Sequence, residues 1–266
     1  MLFKRGTRLI AYRVLTFVVA GLVLIVGTAG AADIEVMISG GFAAAYRSLT
    51  PVFEAMTGHR LHTAWGPSMG DTPEAIPNRL ARGEPADVLI MVGAALDELT
   101  NHGKVVADSR VDLARSKIGV VVRAGTSKPD ISSVDAFRRA LLQARSVAYS
   151  DSASGVYVAG VMFERLGIAD QMKGKSRMIP GEPVGVVVAR GDAELGIQQI
   201  SELLPVKGID LVGPLPPELQ KVTLYSAGIA VGATQPDAAG DLLRFLASPP
   251  ASDAITNSGL EPATAN

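Results

Sequence analysis

Three stretches rich in serine and glycine each follow an apolar run: Ser39-Gly40-Gly41-Phe42, Gly66-Pro67-Ser68-Met69-Gly70-Asp71-Thr72, and Ser150-Asp151-Ser152-Ala153-Ser154-Gly155-Val156-Tyr157. Each stands where a helix would begin. Backbone N–H groups, hydroxyls and the positive end of a helix dipole together suit an anion, and glycine lets a ligand approach the backbone closely. Taken singly, such residues also serve as caps and turns. Three in one chain, all after strand-like runs, point to an anion-binding site. Ser39, Gly40, Gly41 and Phe42, Ser68, Met69 and Gly70, and Ser152, Ala153, Ser154 and Gly155 are therefore candidate ligand contacts.

Other residues could move protons or hold carboxylates. Glu182, in Ile179-Pro180-Gly181-Glu182-Pro183-Val184, precedes an apolar helical run and is the first candidate for a general base. Arg115, followed by Ser116, could grip a carboxylate with both arms of its guanidinium. His62 lies on a strand-like run near Trp65 and is a further acid–base candidate. The adjacent amides Gln198 and Gln199 can each donate and accept, which suits carboxyl or carbonyl groups. A serine hydrolase is disfavoured although Gly66-Pro67-Ser68-Met69-Gly70 fits Gly-x-Ser-x-Gly. The single histidine after Ser68 is His102, whereas that fold places its histidine far downstream. Three scattered histidines and no cysteine give no metal-ligand spacing, so neither metal nor cofactor is expected.

The chain opens with Lys4, Arg5, Arg8 and Arg13, then a 13-residue apolar run, Val14 to Val26, then Ala29-Gly30-Ala31. This is the pattern of a secretory signal over residues 1–31, too short to span a bilayer. Removing its four cations leaves 21 lysines and arginines against 26 carboxylates, moving the formal charge from −1 to −5. Such a chain has no general attraction for nucleic acid or anionic lipid. A periplasmic protein with no stable membrane association is expected, with a monomer as the default.

Positioning the loops requires strands that alternate with helices. Apolar runs at 34–38, 60–64, 86–92, 118–122, 146–149, 194–197 and 225–231 read as strands. Helical spacing covers Phe42 to Phe53, and also 72–82, 96–102, 135–145, 155–166, 184–189 and 236–247. The alternation argues for α/β layers with mostly parallel sheets, where ligands bind beyond the carboxyl ends of the strands.

Four stretches, Leu49-Thr50-Pro51-Val52-Phe53-Glu54-Ala55-Met56-Thr57-Gly58, Gly83 to Ile90, Ala189 to Ile197 and Ala239 to Pro249, keep their order across the mature chain. In them the sequence resembles the periplasmic type II solute-binding proteins of the molybdate-binding branch. The resemblance implies two α/β lobes, 32–115 plus 226–266 and 116–225, around a cleft, with crossings near 115–118 and 225–228. Molybdate binders of that branch offer a serine where this chain has Gly41, and a tyrosine after the strand that here reads Leu195-Gly196-Ile197. The substitutions, with Gln198-Gln199 and Met69, suggest a larger organic anion. The loops Gly-Pro-Ser-Met-Gly, Ser-Asp-Ser-Ala-Ser-Gly-Val-Tyr and Gly-Ile-Gln-Gln-Ile-Ser-Glu-Leu-Leu-Pro are also similar to secreted isomerases of this branch. Those enzymes interconvert trans- and cis-aconitate without a cofactor. That resemblance implies an isomerase acting on a tricarboxylate by allylic proton transfer. The alternative is a receptor that delivers molybdate or an organic anion to an ABC importer permease.

Overall fold

The computed structural model describes residues 30–263, so the signal assigned to 1–31 falls almost wholly outside the described residues. Two mixed sheets form the frame. The first is six-stranded, in the order β11-β4-β10-β3-β1-β2. It is built from β1 (Asp33–Ile38), β2 (Arg60–Trp65), β3 (Val88–Val92), β4 (Val111–Ser116), β10 (Thr223–Ile229) and β11 (Glu261–Pro262). The second is five-stranded, β7-β6-β8-β5-β9. Its members are β5 (Ile118–Arg123), β6 (Val147–Ser150), β7 (Ser176–Ile179), β8 (Leu195–Gln199) and β9 (Ile209–Pro214).

Helices flank both sheets, giving the α/β architecture that the sequence pattern implies. Each sheet has a parallel half, β2-β1-β3 and β7-β6-β8. Antiparallel strands complete each, β10 against β3 and β4, and β5 against β8 and β9. The chain passes from the first sheet to the second at Lys117, between β4 and β5, and returns just before Thr223. Tyr225–Gly228 is thus mid-strand in β10, and the return lies a few residues earlier than the sequence suggests. Gln220 fastens this region: its Oε1 accepts from the Ile118 N–H and its Nε2 donates to the Ile118 carbonyl, both at 2.9 Å.

The helix Ala43–Thr57 buries Ala45, Tyr46, Leu49 and Phe53, a spacing of three to four that puts one stripe against the first sheet. It stops at Gly58, whose φ of 77° is the left-handed cap geometry. Phe53 packs on Phe245 with ring centroids 5.4 Å apart; burying such a side chain contributes roughly 1.5–3 kcal/mol. The helical expectation at 72–82 shrinks to Ile76–Ala81, because Pro77 suits only a first turn. Residues 66–75 instead make a loop, tied by Gly66 N–H to the Ile38 carbonyl (3.1 Å) and Ile76 N–H to the Pro67 carbonyl (3.0 Å).

Candidate functional site

The carboxyl ends of β1, β2, β6 and β8 converge on a cavity of about 510 Å³ between the two sheets. Ser39, Gly40 and Gly41 line it after β1, Ser68 after β2, Ser152 and Ala153 after β6, and Gln198 at the end of β8. The turn Gly40–Phe42 leads straight into the 15-residue helix Ala43–Thr57, so that helix aims its N-terminal end at the cavity. Ser68 Oγ accepts the Val92 N–H at 2.9 Å, which leaves its hydroxyl proton to donate. Gln198 Oε1 accepts the Val184 N–H at 2.9 Å, which turns its NH2 the other way, toward Glu202.

Other residues singled out from the sequence stand just behind the lining. Phe42 is a core residue of the first sheet, and Met69 packs on that core. Gly70 takes a φ of 107° in the exposed loop, where its carbonyl accepts from Asn78 Nδ2 at 3.1 Å. Ser154 is buried and bonded to Ser150 Oγ at 2.9 Å. Gly155 lies so close to the Ser150 carbonyl that no side chain fits there. Ser116 is buried 3.5 Å from Ser201 Oγ, and buried Gln199 donates to Thr223 Oγ1 at 2.8 Å. These residues shape the site without lining it.

Two acid–base candidates lie elsewhere. Arg115 Nη1 donates to the Ala263 carbonyl at 3.1 Å, on the side of β4 that carries β11. His62 is exposed on the edge strand β2 and pairs with Asp33 at 3.0 Å. Strand alternation turns both away from the cavity. Glu182 does line it. Both its carboxylate oxygens bond Arg190, the Nη2–Oε2 contact being 2.9 Å. The guanidinium holds the Glu182 carboxyl below the usual range, which makes it a weak base.

The lining contains residues the sequence did not single out. Arg47, with its guanidinium 4.4 Å from the Trp65 ring centroid, is the one cation lining the cavity among the described residues. Glu202 and Tyr225 form the floor. Burial pushes the Glu202 carboxyl up to about 7, opposed by the Gln198 hydrogen bond and reinforced by the Asp151 charge. Burial, then the neighbouring Glu202, also pushes the Tyr225 hydroxyl well up, so it stays a neutral donor. Both depend on glycines opposite. A Cβ at Gly40 would overlap Glu202 Oε1, and one at Gly41 would overlap the Tyr225 hydroxyl. A serine at 41 is therefore incompatible with Tyr225 in this position.

Among the described residues, four buried side-chain polar atoms have no hydrogen-bond partner: Ser39 Oγ, Thr72 Oγ1, Glu202 Oε2 and Gln199 Oε1. The first three belong to residues that line the cavity. Unpartnered buried polar atoms are uncommon and costly, and three on residues of one lining mark this cavity as a place for a polar ligand. The described residues contain no group of three His, Asp or Glu side chains arranged to hold a metal ion.

A cleft between two α/β sheets, ringed by helix starts and hydroxyls, defines a solute-binding protein. The chain belongs to the bacterial extracellular solute-binding protein family, which matches residues 34–261. It is 54% identical over 232 residues to aconitate isomerase of a Pseudomonas species, covering 87% of this chain and 88% of that one. It is 26% identical over 246 residues to the molybdate-binding protein ModA of Azotobacter vinelandii, covering 90% and 93%. The solved periplasmic molybdate-binding protein of Azotobacter vinelandii superimposes with a TM-score of 0.68 at 21% identity, over 85% of this chain and 98% of that chain. Membership of an extracellular family places the protein outside the cytoplasm. No helix among the described residues is long and apolar enough to cross a membrane.

Proposed function

We propose that this protein is a periplasmic aconitate isomerase, exported by the 1–31 signal, that interconverts trans- and cis-aconitate in the cleft. The observation that carries the reading is the 54% identity to an aconitate isomerase along nearly the full length of both chains. The cavity is compatible with it. Its volume of about 510 Å³ has room for a small tricarboxylate. Amides and hydroxyls at Ser39–Gly41 and Ser152–Ala153, with Ser68 and Arg47, supply donors for carboxylate oxygens. Moving the double bond removes a proton from the allylic methylene and returns one to the former vinyl carbon. The dienolate between them gathers negative charge on a carboxylate, where preorganised donors act most strongly. Closure of two lobes would exclude water and align the reacting carbons.

Purified mature protein incubated with trans-aconitate should yield cis-aconitate, followed chromatographically. The binding-protein fold shared with the molybdate-binding structure favours one other reading, an importer receptor for an organic anion. Tight binding of trans-aconitate with no conversion would favour the receptor.

A further inference from the structure

We propose that Glu202 is the group that takes the proton from one carbon of the substrate and returns it to the other; this rests on the isomerase reading above. A 1,3-shift needs one acid–base group within reach of both ends of the allyl unit, enclosed so that the proton is not lost to water. Among the described residues, four carboxylates line the cavity: Glu74, Asp151, Glu182 and Glu202. Glu74 is exposed on its loop. Asp151 Oδ2 accepts the Gly181 N–H at 2.9 Å, and Glu182 is bound through both oxygens by Arg190. Only Glu202 has an enclosed oxygen with no partner, Oε2, in the cavity floor.

Its surroundings fit the task. Val184 holds Gln198 through Oε1, which turns its amide nitrogen toward the Glu202 carboxyl. Gly40 leaves room for Oε1 against the backbone. Tyr225 stands beside it as a neutral donor, placed to bond the carboxylate that gathers charge. The balance is simple. The Glu202 carboxylate accepts a proton as the methylene C–H bond breaks, and its electron pair moves to form the new double bond. The old double bond becomes the carboxylate-stabilised dienolate. The Glu202 carboxylic acid then gives the same proton to the former vinyl carbon and is a carboxylate again. Nothing is oxidised and no co-reactant is consumed. Raising the carboxyl to about 7 matches it to neutral conditions, where both its forms are accessible.

The test compares wild type, Glu202→Gln and Glu202→Asp for turnover of trans-aconitate and for its binding by calorimetry. Glu202→Gln should lose roughly 10²–10⁴-fold in kcat while binding changes by only a few-fold, and Glu202→Asp should recover part of the rate. Wild-type kcat/KM should rise with pH through about 7. A second measurement needs no variant: in D2O the first turnovers should carry less than full deuterium at the new C–H position. Wild-type conversion with Glu202→Gln within tenfold, or complete deuterium from the first turnover, overturns the role alone. Wild-type protein that binds without converting overturns the isomerase reading and this role together.

Discussion

Ser201 Oγ donates to the Gly41 carbonyl at 2.7 Å, joining the turn after β8 of the five-stranded sheet to the turn after β1 of the six-stranded one. This buried bond sits beside Glu202 and Tyr225, so it holds the cavity floor in register from both sides. Ser201→Ala leaves a buried carbonyl without its donor, a loss of about 1–3 kcal/mol. A lower melting temperature together with weaker trans-aconitate binding is expected. Unchanged melting and affinity would show that the bond is dispensable.

Gly41→Ser places an oxygen-bearing side chain where the Tyr225 hydroxyl stands. Overpacking of this kind costs about 1–3 kcal/mol, or roughly 2–4 °C per kcal/mol for a chain of this size. Thermal unfolding should show the drop, and adding Tyr225→Phe, which removes the overlapping hydroxyl while keeping the buried ring, should recover part of it. Equal melting of Gly41→Ser and wild type would refute the clash.

Arg47 is the cation the cavity lining provides among the described residues. Arg47→Ala should weaken trans-aconitate binding roughly tenfold or more, since a charge-assisted hydrogen bond contributes about 1.5–3 kcal/mol. The weakening should shrink at high salt. Calorimetry at two ionic strengths reads both effects, and an affinity that ignores the substitution would place the carboxylates elsewhere.

Glu202 also predicts a stability profile. Its carboxyl titrates at about 7 in the fold against 4.5 ordinarily, so between these values the folded chain holds a proton that the unfolded chain has released. The contribution is fully present below 4.5 and is lost as pH rises through 7, up to about 3 kcal/mol. Denaturant unfolding at pH 5 and pH 8 should show wild type losing more stability than Glu202→Gln over that span. Parallel profiles would mean that the carboxyl is not buried as described.

His62→Ala and Arg115→Ala remove side chains that face away from the cavity. Both should keep turnover near wild type, with stability changes within about 0.5 kcal/mol for the exposed His62–Asp33 pair. A large loss of rate in either would return that residue to the site.

Much of the frame was legible because its central strands are continuous apolar runs. β3 and β5 are buried almost throughout and carry the runs at 86–92 and 118–122. β7 and β9 are edge strands with half-exposed residues, so no apolar run announced them. The serine- and glycine-rich turns marked three walls of the cavity. Its floor was hidden: Glu202 sits in Ile200–Leu203, where an acidic residue resembles ordinary helix-start chemistry. What makes it unusual is Gly40, 162 positions earlier, and that juxtaposition exists only after both sheets have formed. Arg115 misled for a related reason. Its place beside a crossing says nothing of which strand face it occupies, and here β11 and the Ala263 carbonyl claim it.

The insertion of β10 between β3 and β4 has a consequence for how the chain is made. A nascent chain that stops short of Thr223 holds two strands whose facing edges have no mate, so the larger sheet stays unzipped until its last stretch arrives. In a polypeptide threaded outward from its N-terminus, that larger sheet would thus stay pliant and zip up only once the tail is through, whereas the five strands of the other sheet all precede Thr223.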